Sequence, residues 1–491
     1  MKFFRKILVV AALACVCVLG VGCAEKGAGD ASANLSRYTI DAVFDDAAKT
    51  LTAVQSVEYV NNYDVELNDL YFHLYPAAYR EGARFTPFNE GDAAGAFPNG
   101  KSYGGIEIKS VKVNGTAQTP EIGGQDEDIL IVKFADCLMP TSRTTVEIEY
   151  AVKIPEARHR LGHYDGVVNL GNFYPVACVY ENGEFKSDPY YSNGDPFYSQ
   201  AANYDVSITA PIKYTAAMSG LSIVTDTKDT RKSSAMLLAA RDFAVVLGEF
   251  KQKTTTADGA GVYYYYRDDV SPDVSLGIAA AALKTFNSMF GKYPYATLSV
   301  VQTPFLNSGM EYPGLVYVSD RESGEFYRDV IVHETAHQWW YGVVGNNQVE
   351  NAWLDETLAE YSATLFYEAN PDYGVDYGSR IADALTAYAL FCDFFEENSD
   401  TSMNRRLPDF KTPHEYAMMT YTKGQVMMDS LRKTIGDGAF FAALKKYYDD
   451  NYLKIAAPDN LIGCFESAAK RDLSQFFATW IDGKVVTFNK Y

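Results

Sequence analysis

The stretch from Val332 to Glu360, VHETAHQWWYGVVGNNQVENAWLDETLAE, constrains this chain more than any other. His333 and His337 stand four apart, with Glu334 beside the first. Positions four apart share one face of a helix, so both imidazoles can reach one ion, and Glu334 flanks it and can act on a water. Glu356 follows, beyond positions 338–355. Gly342 and Gly345 interrupt the pattern and apolar periodicity resumes near Ala352, which predicts helix, turn and second helix with Glu356 facing back. Two His and one Glu bind a single zinc and leave its fourth position open, the catalytic rather than the structural arrangement. Glu360, one turn further on, is placed to hold a ligating histidine by its other ring nitrogen. HExxH alone is a weak signal; here two of only 6 histidines fall at this spacing, with two carboxylates in an otherwise apolar helix.

At 491 residues the chain is long enough for two or three cores. A formal charge of −20 argues against nucleic acid as a partner. The N-terminus reads as an export signal: Lys2, Arg5 and Lys6 precede an apolar run from Ile7 to Gly22, too short for a comfortable span. That run ends in Leu19-Gly20-Val21-Gly22-Cys23, which resembles a bacterial lipobox, with Gly20 where a branched residue is usual. The reading is a signal peptide over 1–22, lipidation of Cys23, and a small, polar tether over 23–34; a plain cleaved signal is the alternative. It places the protein on the outer side of the cell membrane, held by an N-terminal lipid. Cys137, Cys178, Cys392 and Cys464 are scattered with no CxxC, and no disulfide is predicted.

From Tyr38 to Phe250 the dominant period is two. Strand runs at Ile106–Val113, Ile129–Phe134, Thr145–Ile154, Tyr204–Thr209 and Ala244–Phe250 predict an antiparallel β domain over 35–255. The Tyr-rich part from Phe173 to Tyr204 is a packed loop or a wall of a substrate cleft. His159 and His163 read as loop residues, since no carboxylate or cysteine cluster accompanies them. Tyr263–Tyr266 reads as a strand. A helix is expected from Pro272 to Gly291, a strand over Leu298–Thr303, a turn at NSGMEYP, and an edge-like strand over Leu315–Val318. Beyond Glu360 the pattern is helical: Ile381–Phe395, Gln425–Ile435, Ala439–Tyr448 and Asn460–Ala469. The fold class is α+β, with a catalytic unit over 256–491 that runs from a β lobe to a helical lobe.

HETAH, the spacing to Glu356, and WLDETLAEY together resemble the zinc aminopeptidases of the aminopeptidase N type, whose catalytic domain is thermolysin-like. NSGMEYP aligns with that family's GxMEN element and Tyr421-Thr422-Lys423-Gly424 with its YxKG element. The resemblance runs from about Leu35 to Gly483. It implies that His333, His337 and Glu356 hold zinc and that Glu334 is the general base. It also implies that Tyr421 steadies the oxyanion, that Gly309 and Met310 lie along the substrate backbone, and that Glu311 binds the free α-amine of a peptide. Tyr312 stands where the family has Asn, and no glutamine-bearing segment lines the first side-chain pocket; SDPYYSNGDPFYS occupies about that place. Two other readings share these residues. One is a zinc endopeptidase in which Glu311 meets no amine, and the other is a non-catalytic surface lipoprotein stabilised by zinc.

Overall fold

Strict alternation builds the first sheet. In β1 (Arg37–Asp45) Tyr38, Ile40, Ala42 and Phe44 are buried while the residues between them face outward. The same alternation runs through β2 (Thr50–Val60), β5 (Arg143–Lys153), β6 (Ala202–Pro211) and β8 (Thr230–Ala240), while β3 (Gly105–Val113), β4 (Thr116–Gln118) and β7 (Leu221–Asp226) are more exposed. These form one sheet in the order β7-β8-β6-β1-β2-β5-β3-β4. Its inner face packs on two four-stranded sheets that hold Leu67–His73, Ile129–Leu138, Val167–Leu170 and Val245–Gly248. The computed structural model describes residues 32–394 and 400–485, so the signal peptide, Cys23 and most of the tether read from the sequence lie outside the described residues.

Two expectations about this half need correction. The sheet is not wholly antiparallel, because β1 pairs parallel to β6. Period two reports which face is buried and carries no strand direction. His163 is not in a loop; it lies on the strand Leu161–Tyr164, paired opposite Val168. His159 is buried, with Nδ1 2.7 Å from the Tyr79 hydroxyl, and takes no part in an ion site.

A five-stranded sheet follows: β9 (Lys251–Ala257), β10 (Ala260–Tyr266), β11 (Thr297–Thr303), β12 (Gly309–Met310) and β13 (Leu315–Ser319), in the order β9-β10-β11-β13-β12. Helix α1 (Pro272–Met289) carries the crossover between the parallel strands β10 and β11. Strand β13, read as edge-like, is interior; the edge is the two-residue β12, too short to show a period. That edge faces the cleft. Helix α2 (Gly324–Ala336) packs on this layer, and α3 (Trp353–Ala369) packs against α2. From Trp353 to Tyr367 every residue of α3 is buried except Glu360. A helix buried on all sides is central, and α3 lies between α2 and α4 (Gly424–Ile435). No helix among the described residues is long and apolar enough to cross a membrane.

Candidate active site and metal centre

His333 lies in the last turn of α2 and His337 is its C-terminal cap, still in αR geometry (φ −61°, ψ −15°), so helical spacing holds across both. Each imidazole is fixed from behind. His337 Nδ1 lies 2.9 Å from Trp340 O and His333 Nδ1 lies 3.1 Å from Glu360 Oε2. Nδ1–H donation to those oxygens leaves both Nε2 lone pairs turned to one point. Glu360 is itself held, its Oε1 accepting from Gln425 Nε2 at 2.9 Å and Arg380 Nη2 at 3.3 Å.

The two Nε2 atoms stand 3.1 Å apart. Glu356 Oε2 lies 3.4 Å from that of His333 and 3.2 Å from that of His337. Tetrahedral bonds of about 2.0–2.2 Å place donor atoms roughly 3.3–3.5 Å from one another, so these three fit one zinc. Glu356 Oε2 is a buried acceptor with no hydrogen-bond partner, which an ion at that point would satisfy. Its Oε1 accepts from the Tyr416 hydroxyl at 3.3 Å.

Glu334 is 6 % exposed and its Oε2 has no partner. Burial pushes its carboxyl up to about 7, against the pull of the two neighbouring histidines. Gly309 presses on it from β12: a Cβ there would stand 2.1 Å from Glu334 Oε1 and 2.7 Å from Cγ. Glu311, two residues on, is buried, and its Oε1 accepts from Gln348 Nε2 at 3.0 Å. The same Nε2 reaches Asp355 Oδ2 at 2.7 Å. Burial, then the charge of Asp195, drives the Glu311 carboxyl well above the usual range. Tyr312, the departure from GxMEN, turns away from the cleft and donates to Asn172 Oδ1 at 3.0 Å.

Tyr421 stands on a π-helical turn, Met418–Lys423, running into α4. Its ring stacks on His333 with centroids 5.5 Å apart. The wider turn sets Tyr416, five residues earlier, beside it at 6.0 Å. Lys423 fastens the turn, its Nζ donating to Thr401 O at 2.5 Å and Gly483 O at 2.8 Å.

These groups share a cleft of about 400 Å³ whose lining includes Gly309, His333, Glu334, Tyr421, Asp195 and Phe326. The Tyr-rich loop does supply one wall, through Ser192, Gly194 and Asp195. Sequence reasoning missed Asp195, Arg160, Gln348 and Tyr416. Arg160 pairs with Asp195 and lies with Nε 3.1 Å from Met310 Sδ. Nothing local marks those two as partners across positions 161–194. The spacing of Tyr416 and Tyr421 is readable only once a π-turn is assumed.

Two helical histidines and a glutamate from the next helix form a group that could hold a metal ion, with a buried acid under a sheet edge beside it. Residues 274–480 match the model of the Peptidase family M1 domain. The chain is similar to aminopeptidase N of Lactobacillus helveticus, 27 % identical over 257 residues, covering 48 % of this chain and 30 % of that protein. It is also similar to aminopeptidase N of Lactococcus lactis subsp. lactis (strain IL1403), 24 % identical over 398 residues, covering 75 % of this chain and 45 % of the relative. The chain thus spans less than half the length of these relatives. In fold it is similar to an M1 zinc metallopeptidase from Deinococcus radiodurans, with a TM-score of 0.67 at 16 % identity over 92 % of this chain and 95 % of that one.

Proposed function

We propose that this protein is a zinc aminopeptidase that removes N-terminal residues from peptides, with His333, His337 and Glu356 as the ligands of one zinc. Zinc, when bound, supplies Lewis-acid polarisation and acidifies a water. Glu334 takes the proton of the attacking water and hands it to the leaving amine; a carboxylate raised toward neutrality by burial suits both transfers. Tyr421 donates its hydroxyl proton in a hydrogen bond to the oxygen that becomes negative in the transition state. Its stacking on His333 holds that phenol at the reacting centre. Gly309 and Met310 run beside the substrate backbone as the unpaired edge of the sheet.

One observation carries the exopeptidase reading. Glu311 is a buried carboxylate with no cationic side chain in contact, and a second acid, Asp195, lies near enough to raise it further. Asp195 is already paired with Arg160, so Glu311 is the acid left for a cation, and the ammonium of a peptide is the cation that a peptide substrate brings. The test is one peptide, with and without N-acetylation, on the wild type and on Glu311→Ala. The acetylated form should be cut at least about 100-fold more slowly by the wild type, since it leaves Glu311 desolvated and unpaired. Glu311→Ala should narrow that ratio. Equal cleavage of both forms, at an internal bond, would establish the endopeptidase reading instead. The basic start, the short apolar run and Cys23 support export and lipid anchoring on the outer side of the membrane.

A further inference from the structure

The zinc helix presents more than its ligands to the cleft. Phe326, Asp329, Val330, His333 and Glu334 all line it, which places them on one face of α2 at spacings of three and four. Phe326 is 54 % exposed, a large aromatic side chain left open beside a polar reacting centre. Asp329 is neutralised by Arg380 Nη1 at 2.8 Å, so the stripe acts as an apolar one.

Direction along the cleft follows from the groups already placed, and the inference rests on the aminopeptidase reading. Glu311 marks the amine end of the substrate. A peptide antiparallel to the edge strand then runs from Glu311 past Met310 and Gly309 toward Ser308 and Asn307, which also line the cleft. Glu334 protonates the leaving nitrogen, so everything beyond it toward the start of α2 faces the departing part of the peptide. Phe326 lies two turns, roughly 12 Å, before Glu334. An extended peptide advances about 3.3 Å per residue. The ring therefore reaches the third or fourth residue past the cut, with Val330 between.

Charge points the same way. Arg160 is the one Lys or Arg among the described residues lining the cleft. It is occupied by Asp195, by Gly194 O at 3.2 Å and by the Tyr190 hydroxyl at 3.3 Å. No free guanidinium or ammonium waits in that lining for the terminal carboxylate of a dipeptide or tripeptide.

We propose that Val330 and Phe326 form an apolar downstream subsite that makes this an oligopeptide enzyme, selecting an apolar side chain three or four residues past the scissile bond and ignoring the peptide's C-terminal carboxylate. The test walks one Phe through Leu-Gly-Gly-Gly-Gly, as free acid and as amide. kcat/KM is measured on the wild type, Phe326→Ser and Phe326→Leu, and calorimetric Kd on zinc-loaded Glu334→Gln with and without Phe326→Ser. Phe at the fourth or fifth peptide position should raise kcat/KM on the order of tenfold and tighten Kd similarly. That gain should shrink below about twofold in Phe326→Ser and largely persist in Phe326→Leu, and amidation should alter neither constant by more than about twofold. A flat walk in a cleaving enzyme, or a gain untouched by Phe326→Ser, overturns the subsite. Absence of cleavage with the Kd pattern intact would refute the aminopeptidase reading and leave the subsite standing.

Discussion

Gly309→Ala is the sharpest perturbation available at this site, because it adds one carbon and removes no functional group. The new Cβ would stand 2.1 Å from Glu334 Oε1, 2.6 Å from Cδ and 2.7 Å from Cγ. Ordinary contact begins at 3.4 Å, so Oε1 must retreat by 3.4 − 2.1 = 1.3 Å. Since Cγ clashes as well, turning the carboxylate about its last bond gives no relief; the whole side chain or strand β12 has to move. A misplacement of about 1 Å costs on the order of 100-fold, and base catalysis as a whole contributes roughly 10²- to 10⁴-fold. We therefore expect kcat to fall about 100-fold, with zinc content at one equivalent, because none of the three ligands is among the atoms met by the added carbon. In a Glu334→Gln background the same substitution should cost less than about threefold, since the group it displaces has already lost its function. The assay is steady-state hydrolysis of an aminoacyl amide by the four proteins of this cycle, with metal analysis of each. A kcat within threefold of wild type for Gly309→Ala, or full additivity in the cycle, would refute the idea that β12 positions the base.

Tyr421→Phe should lower kcat by about 10²- to 10³-fold with KM nearly held, and a change confined to KM would remove the oxyanion role. His337→Ala should fail to retain stoichiometric zinc by metal analysis and melt lower than the zinc-loaded wild type, whose stabilisation is about 2.7 kcal/mol at a hundredfold excess of free metal over Kd. Asp242 is buried, accepts from the Tyr341 hydroxyl at 2.6 Å, and is pushed up to about 7 by that burial. The folded chain therefore holds this proton between about pH 4 and 7 where the unfolded chain does not, and stability falls as pH rises through that window by about 1.4 kcal/mol per pH unit. Asp242→Asn should flatten this slope in denaturant titrations at pH 5 and 7; an unchanged slope would mean the acid is ionised. Cys23→Ser should move the protein from the membrane to the soluble fraction, and equal fractionation with a mature N-terminus elsewhere would count against lipidation.

The proposed ligand set was legible because helical spacing is a local property: His333 and His337 share a face of α2, Glu356 lies on α3, and both helices announce themselves by composition. The long strands were legible for the same reason, as alternation in β1 or β5 records one buried face. What escaped depends on pairs far apart in sequence. Asp195 finds Arg160 only through the turns of a Tyr-rich loop with no period, and Glu311 finds Gln348 across a sheet and a helix. The parallel pairing of β1 with β6 and the interior place of β13 are matters of strand order, which local pattern does not encode. The π-turn escaped because one inserted residue in a helix leaves the composition of the segment unchanged.

The central place of β1 has a temporal meaning. Its outer neighbour β6 begins at Ala202, so on a growing chain the first strand waits for positions 46–201 before its second flank exists. At about 5–20 residues per second that is an interval of roughly ten seconds or more, during which β1 can form no more than one side of its ladder. Non-local, parallel pairing of this kind is slow to close even in a complete chain. The polypeptide therefore stays threadable for longest at the end that is made first.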